Sequence, residues 1–154
     1  MNPTKRLVEL GLTLPPLQKP VASYTPAVRT GRYVYTSGQV PIREGKIVYA
    51  GKVPKDLSIE DAMKACEMAT LNGLAAIDQL IGGLDHVERV IRVCVYVNSS
   101  PGFTEQPKVA NGASDLLVKI FGDMGRHARS AVGVAELPLN AAVEVELMVE
   151  VAGA

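Results

Sequence analysis

The sequence contains no tryptophan, only two cysteines and two histidines, and 5% aromatic residues. Cys66 and Cys94 have a spacing that matches no zinc or redox motif. The histidines and cysteines are scattered along the chain, which argues against a metal site. We therefore expect two buried free thiols, no metal and a reduced compartment.

An excess of charge of one sign is also lacking. The 16 basic and 16 acidic residues give a formal net charge of zero, and no stretch concentrates lysine and arginine. This balance argues against nucleic-acid binding by phosphate neutralisation, and the few aromatic side chains leave no platform for stacking bases. No apolar run approaches a membrane span, and the N-terminal segment lacks the apolar core of a signal peptide. We expect a cytoplasmic protein with neither a nucleic-acid nor a membrane partner.

What the sequence does have is apolar residues, at 47% of 154 positions, which favours one domain of residues 1–154 with a sizeable core. Residues 1–20 are predicted to be an N-terminal extension. Within it, a short helix over Pro3–Leu10 ends at Gly11, and a proline-rich connector follows over residues 14–20.

The periodicity beyond the extension predicts strands and helices in a definite order. Two strand pairs, turning at Thr30–Gly31 and Glu44–Gly45, precede a helix that begins at Ser58 and stops at Gly82–Gly83. The Val/Ile-rich strand His86–Val97 follows, with both faces expected to be largely covered. A second helix over Pro107–Phe121 and two final strands complete the chain. This order predicts an α+β fold with two helices on one face of a mixed sheet.

The stretch GRHARSAVGV, residues 125–134, is predicted to be a strand. Alternate residues of a strand share a face, so Arg129 lies among His127, Ala131 and Gly133. A long cation on a face of small residues leaves space that either a carboxylate from elsewhere in the chain or a ligand would fill. On the pattern alone, a structural ion pair explains Arg129 equally well.

The last strand alternates strictly, with valines and Leu147 on one face and Glu144, Glu146, Met148 and Glu150 on the other. A solvated face is the ordinary explanation for these glutamates. The turn between the two last strands is short, however, which predicts that they pair. Glu144 would then lie near Arg129 across the hairpin.

Three segments together resemble the RidA/YjgF/YER057c/UK114 family: YVYTSGQVP at 33–41, ARSAVGVAELP at 128–138 and VEVELMVEV at 143–151. The resemblance extends from Ser23 to Val151 and includes a branch labelled "endoribonuclease L-PSP". It implies a chorismate-mutase-like fold and a homotrimer in which the sheets form a central barrel with three inter-subunit clefts. It further implies hydrolysis of 2-imino acids to 2-keto acids and ammonia, without a metal or organic cofactor.

The resemblance also implies roles for individual residues. Arg129 would grip the substrate carboxylate with two parallel hydrogen bonds, and Glu144 would hold the attacking water or shuttle its proton. His127 is interpreted as a structural or supporting residue rather than the catalytic acid. The remaining substrate-binding positions are Tyr24, Ser37, Gly38, Asn111 and Ala131. On the pattern alone, Tyr24 would be a half-buried aromatic residue and Asn111 a surface residue on a helix. Ser37 and Gly38 would simply end a strand.

The sequence departs from the family's usual residues at three positions, so the resemblance does not fix the substrate. Ala131 stands where many members have cysteine, Gly133 where an acidic residue is common, and Glu136 where a basic residue often occurs. The alternative to a deaminase is a non-catalytic trimeric protein that holds small carboxylate metabolites in its clefts. A ribonuclease is disfavoured, because the sequence offers no phosphate track and no pair of histidines for acid–base cleavage.

Overall fold

The computed structural model describes residues 2–17, 19–20 and 22–153. The predicted domain of residues 1–154 reaches beyond this range at both ends, and Gln18 of the predicted connector lies outside it; that division of the chain stays a prediction. Within the described residues, the helices are α1 (Pro3–Glu9), α2 (Ile59–Ile81) and α3 (Gln106–Phe121). The strands are β1 (Ala27–Thr30), β2 (Tyr33–Thr36), β3 (Ile42–Arg43), β4 (Lys46–Ile47), β5 (Val87–Asn98), β6 (Ala128–Val134) and β7 (Val143–Val151).

The long helix α2 forms because both of its ends are specified locally. The Ser58 side chain accepts a hydrogen bond from the Asp61 backbone N–H at 3.1 Å, which satisfies one of the free donors of the first turn. At the other end Gly82 adopts a left-handed conformation with φ of 80°, where a side chain would be strained. The predicted helix from Ser58 to Gly82 is therefore confirmed.

The main sheet has the strand order β1-β2-β7-β5-β6. Strands β5 and β6 run parallel, whereas the β1–β2, β2–β7 and β7–β5 pairs are antiparallel. Helices α2 and α3 pack together on one face of this mixed sheet, and β3–β4 forms a separate small ladder. The α+β class and the two-helix layer are as predicted.

The predicted pairing of the last two strands is wrong, because β5 lies between β6 and β7. The buried side chain of Asn98, at the end of β5, holds the loop that connects β6 to β7 by two hydrogen bonds. Its Nδ2 donates to the Ala141 carbonyl at 3.1 Å and to Asn140 Oδ1 at 3.2 Å. The loop thus crosses one strand before β7 begins, and Glu144 does not lie beside Arg129.

Within the described part of the chain, one face of β5 is covered and the other is largely open, which differs from the prediction of two largely covered faces. Val93, Val95 and Val97 are fully buried under the helices, whereas Arg92 is exposed on the other face. Both cysteines are free thiols. Cys66 in α2 is buried as predicted, whereas Cys94 in β5 is only half-buried. No helix among the described residues is long and apolar enough to cross a bilayer.

Candidate functional site

The register of the sheet decides where the Arg129 side chain points. Arg129 pairs with Val93, which in turn pairs with Leu147, and both of these side chains are buried beneath the helices. Directly paired residues share a face, so the guanidinium lies on the helix side of the sheet. There its Nη1 donates to Asn111 Oδ1 at 2.8 Å and to Ser114 Oγ at 3.2 Å.

The guanidinium has neutral partners rather than an acid. Among residues 2–17, 19–20 and 22–153, no carboxylate oxygen lies within 4.0 Å of Arg129, and neither Nε nor Nη2 has a protein acceptor. A surface depression of ≈ 270 Å³ opens beside the side chain, lined by Ser114, Asp115, Val118, Arg126, His127 and Arg129. Two of the three nitrogens of the fork are therefore available to an external anion.

Ser114 and His127 extend the hydrogen bonding of Arg129. Ser114 Oγ lies 2.8 Å from His127 Nε2, and His127 Nδ1 lies 2.6 Å from the Gly125 carbonyl oxygen. Burial is the main cause that lowers the pKa of His127, and the charge of Arg129 acts in the same direction. The sequence patterns did not single out Ser114. Its position three residues after Asn111 on a helix was the available signal.

At the far end of β6, polar side chains of the same chain lie directly over Gly133. Ala131 packs against the core, as a residue on the helix side should. A Cβ at Gly133 would lie 2.7 Å from Gln106 Nε2 and 2.8 Å from Ser99 Oγ. The space expected along this face is therefore occupied at Gly133 by polar groups of the same chain.

Glu144 belongs to the opposite face of the sheet. It pairs with Tyr96, which pairs with Val132, and Val132 is three residues from Arg129 on the same strand. An odd separation along a strand places two side chains on opposite faces. Within one protomer, then, Arg129 and Glu144 cannot contact a common small ligand from the two sides of the sheet.

The Glu144 carboxyl lies against Gly38. A Cβ on Gly38 would lie 2.7 Å from Glu144 Cδ, so this contact requires glycine. Burial is the main cause that raises the pKa of Glu144, and the nearby charge of Glu146 raises it further. Its carboxylate has neither a hydrogen bond nor an ion pair with any residue of the described part of the chain.

The remaining predicted residues lie at Gly38, which contacts Glu144, or on the chain segments beside it. Ser37 follows β2, and its hydroxyl donates to the Thr25 carbonyl at 2.6 Å. This bond ties Ser37 and Gly38 to the segment that carries Tyr24, whose side chain is 59% exposed. The structure thus separates the predicted site into two clusters. The arginine cluster comprises Arg129, Asn111 and Ala131, and the glutamate cluster comprises Glu144, Gly38 and Ser37, with Tyr24 on the segment that Ser37 contacts.

The polar groups of both clusters suit an organic anion and water better than a metal ion. Across the described ranges, no group of three or more His, Cys, Asp or Glu side chains is placed to hold a metal.

Comparison with known proteins gives a consistent family assignment. A family model described as "YjgF/chorismate mutase-like, putative endoribonuclease" matches residues 4–151. "Protein TCP17" of Trypanosoma cruzi is 43% identical over 145 residues, which cover 94% of this chain and 91% of that protein. A "2-iminobutanoate/2-iminopropanoate deaminase" of Dermatophagoides farinae is 28% identical over 138 residues, covering 90% of this chain and 93% of its own length. The crystal structure of a "putative endoribonuclease" from Shewanella oneidensis MR-1 superimposes with a TM-score of 0.94 at 36% identity, covering 98% of this chain and 100% of that one.

Proposed function

The chain belongs to the YjgF/RidA family, and from that premise we propose that it is an enamine/imine deaminase. It would hydrolyse 2-imino acids to 2-keto acids and ammonia. The observation that carries this proposal is the state of Arg129, which is held at Nη1 by neutral oxygens and keeps Nε and Nη2 without protein acceptors among the described residues. The relative from Dermatophagoides farinae, named for the deamination of 2-imino acids, supports the same reaction class.

Arg129 would bind the substrate carboxylate through the Nε–Nη2 edge. Two parallel N–H···O bonds fix both the position and the plane of a carboxylate, which a lysine ammonium cannot do. Fixing that group places the neighbouring C=N carbon at a defined distance from the protein. Because 2-imino acids already hydrolyse in water, orientation alone supplies a large part of the acceleration that is needed.

We propose that the site is completed across a subunit boundary of a homotrimer. Support comes from the placement of Arg129 and Glu144 on opposite faces of one sheet, so that the two residues must come from different copies to face the same ligand. The open face also presents aromatic side chains, with Tyr33 40% and Tyr35 41% exposed, which suits burial against another copy.

Glu144 would accept a proton from the water that attacks the carbon of the protonated C=N bond, giving a neutral tetrahedral carbinolamine. Glu144 would return that proton to the nitrogen and then take the hydroxyl proton as the C–N bond breaks, which releases ammonia and leaves the keto group. Burial of the carboxyl raises its pKa, which suits a group that takes up and returns one proton. The backbone of Ser37–Gly38 and the Tyr24 side chain would border the substrate on this side.

A non-catalytic carboxylate-binding protein is the second candidate. It is favoured by one feature, namely that Arg129 is already held by hydrogen bonds within its own chain, whereas Glu144 has no hydrogen-bond partner among the described residues. Both candidates need Arg129, and only Glu144 separates them. A binding protein would hold a 2-keto acid with equal affinity in wild type and Glu144→Gln, and would turn nothing over.

A coupled assay tests the proposal. An amino-acid oxidase generates the 2-imino acid, semicarbazide traps what survives, and the loss of semicarbazone measures hydrolysis by the protein. We expect wild type to compete with the trap and Glu144→Gln to be slower by about 10²–10⁴-fold. Glu150→Gln, on the same face of β7 and ion-paired with Arg32 at 3.3 Å, is the matched control and should behave as wild type. A wild-type protein that leaves semicarbazone formation unchanged is not a deaminase.

A further inference from the structure

We infer that Ser114 and His127 are positioning residues that orient Arg129 for carboxylate binding. The inference rests on the proposed function, because it assigns a role toward the anion that Arg129 would bind. Ser114 Oγ lies between two nitrogens, 3.2 Å from Arg129 Nη1 and 2.8 Å from His127 Nε2. The imidazole is itself anchored by the Gly125 carbonyl, 2.6 Å from Nδ1.

The hydrogen-bond network fixes the direction of each proton. A carbonyl oxygen only accepts, so His127 Nδ1 carries the hydrogen and donates it to Gly125. In the neutral imidazole Nε2 is then a bare acceptor, and the Ser114 hydroxyl must donate to it. With its hydrogen turned toward His127, the Ser114 oxygen presents a lone pair to Arg129. The tautomer of His127 thus fixes the direction of the Ser114 hydrogen, so that a lone pair faces the arginine.

This arrangement uses both hydrogens of Nη1 and leaves the others. Nη1 has two N–H bonds, one directed at Asn111 and one at Ser114. A carboxylate therefore meets the Nε–H and the Nη2 hydrogen parallel to it, which form one edge of the planar group, while the second Nη2 hydrogen points away from that edge. Ser114, oriented by His127, therefore acts on the ligand indirectly. It helps to occupy Nη1, which leaves the Nε–Nη2 edge for the carboxylate and restrains rotation of the guanidinium.

A second arginine of the same sheet, Arg92, has a serine partner but, in the described part of the chain, no histidine behind that serine, which makes it a suitable comparison for Arg129. On the open face, Arg92 Nη2 donates to Ser130 Oγ at 2.8 Å, and no imidazole orients that hydroxyl among the described residues. Both arginines thus have a serine acceptor, but only Arg129 has a serine whose hydrogen is fixed in direction. Ser130→Ala consequently removes the same kind of bond from an arginine without the proposed role, and is the matched control.

The first experiment measures binding of 2-ketobutanoate by calorimetry, with kinetic constants from the semicarbazide assay. Ser114→Ala should weaken binding and raise KM by about tenfold, the loss of roughly one hydrogen bond to a charged group, with kcat within about twofold of wild type. Ser114→Thr keeps the hydroxyl and should restore affinity. Ser130→Ala should bind as wild type does.

The histidine is tested with two amides that imitate different ring nitrogens. The Asn amide of His127→Asn can take the place of Nδ1 and keep the bond to Gly125, but it offers nothing at the Nε2 position. The Gln amide of His127→Gln reaches the Nε2 position and can accept from Ser114. We expect His127→Asn to weaken binding as much as Ser114→Ala does, and His127→Gln to stay closer to wild type. A merely structural anchoring of the loop predicts the reverse order.

A third measurement needs no ligand and separates the two failures. ¹⁵N NMR of the imidazole should report the neutral tautomer with hydrogen on Nδ1, and the Arg129 Nε–H signal should sharpen in wild type relative to Ser114→Ala. If the hydrogen is on Nε2, the positioning role is overturned whatever the activity. If tautomer and affinities follow the expected order but no imine is hydrolysed, the deaminase proposal fails and the positioning role stands. If imines are hydrolysed but Ser114→Ala and His127→Asn keep wild-type affinity, the positioning role fails and the deaminase proposal stands.

Discussion

The two clusters of the site differ in how much of their order comes from their own chain. Around Arg129, the guanidinium Nη1, the Ser114 hydroxyl and the His127 ring are held by hydrogen bonds within the chain, and the two nitrogens proposed to meet the ligand are left open. Around Glu144, the carboxyl is placed by a steric contact with Gly38 and has no hydrogen-bond partner in the described chain. In the proposed enzyme, anion binding would thus belong to a preformed half, and acid–base chemistry to a half that a neighbouring copy completes.

Mixing two inactive variants gives the strongest test of this division. Arg129→Gln and Glu144→Gln should each be nearly inactive as pure oligomers. Refolding or co-expressing them at equal amounts should restore roughly one quarter of wild-type activity, because one cleft in four then receives an intact Arg129 and an intact Glu144 from different copies. The semicarbazide assay measures the gain, and sedimentation establishes the trimer. Mixtures as inactive as their parents would place both residues in one subunit's site, against the register of the sheet.

The glutamate half should be sensitive to one added methyl group. Gly38→Ala would put a Cβ 2.7 Å from Glu144 Cδ, and the flexible carboxyl is the group that must move. Because displacement of a catalytic group by about 1 Å can lower the rate by about 10²-fold, we expect kcat to fall between tenfold and a hundredfold. The melting temperature should change little, since Gly38 is exposed.

Gly133→Ala is the matched variant on the arginine side. Its Cβ would approach Gln106 Nε2 and Ser99 Oγ, which are not proposed to touch substrate. We expect kcat within about threefold of wild type, as for substitutions that move no reacting group. Equal losses in Gly38→Ala and Gly133→Ala would remove the special role of the Gly38–Glu144 contact.

The anion affinity of the arginine half should instead depend on the packing of helices α2 and α3. A Cβ at Gly112 would lie 2.2 Å from the Met63 backbone oxygen, so Gly112→Ala forces α2 and α3 apart. Overpacking of this kind destabilises by about 1–3 kcal/mol, and each kcal/mol lowers the melting temperature of a chain of this size by about 2–4 °C. Because Gly112 adjoins Asn111, affinity for 2-ketobutanoate should weaken as well.

Lys108→Ala, exposed on the same helix, is the control for thermal denaturation and calorimetry. A Gly112→Ala protein with unchanged melting temperature and affinity contradicts the expected coupling.

Features set by interactions between residues close in sequence were predictable, and features set by contacts between distant parts of the chain were not. Helix α2 was predictable because Ser58 and Gly82 specify its ends within a few residues. The strand order was not, because the position of β7 depends on its pairing with β5, which lies far away along the chain. The same reason explains why a short turn suggested a false β6–β7 pair.

The site shows the same limit. Arg129, Glu144 and their neighbours were identified through segments with a specific pattern, and Asn111 indeed contacts Arg129. Ser114 carries no such pattern, since a serine within a helix is ordinary. Its role depends on His127 and Arg129 arriving from another element. The assignment of Arg129 and Glu144 to opposite faces required the register of β5, which no local motif encodes.

The smallest expected effect concerns the pH dependence of the glutamate half. Glu146 stands two residues from Glu144 on the same face, accepts a hydrogen bond from the Tyr96 hydroxyl at 2.9 Å and raises the pKa of Tyr96 to about 12. Arg92 is the cation that shares a surface depression with Glu146. The charge of Glu146 contributes to the raised pKa of Glu144, although burial of Glu144 contributes more.

Glu146→Gln should therefore shift the acid limb of the activity profile to lower pH. Glu144 must be ionised to accept a proton from water, so activity falls as the pH drops through its pKa, and a raised pKa places that fall at a higher pH than for an ordinary carboxyl. Removing the like charge lowers the pKa of Glu144 only in part, because its burial is unchanged, while the glutamine oxygen still accepts from Tyr96. Glu150→Gln should leave the limb in place. If Glu146→Gln also leaves it unmoved, or moves it upward, Glu144 is not the group whose ionisation limits the reaction, and the glutamate half loses its proposed chemistry while the arginine half keeps its own.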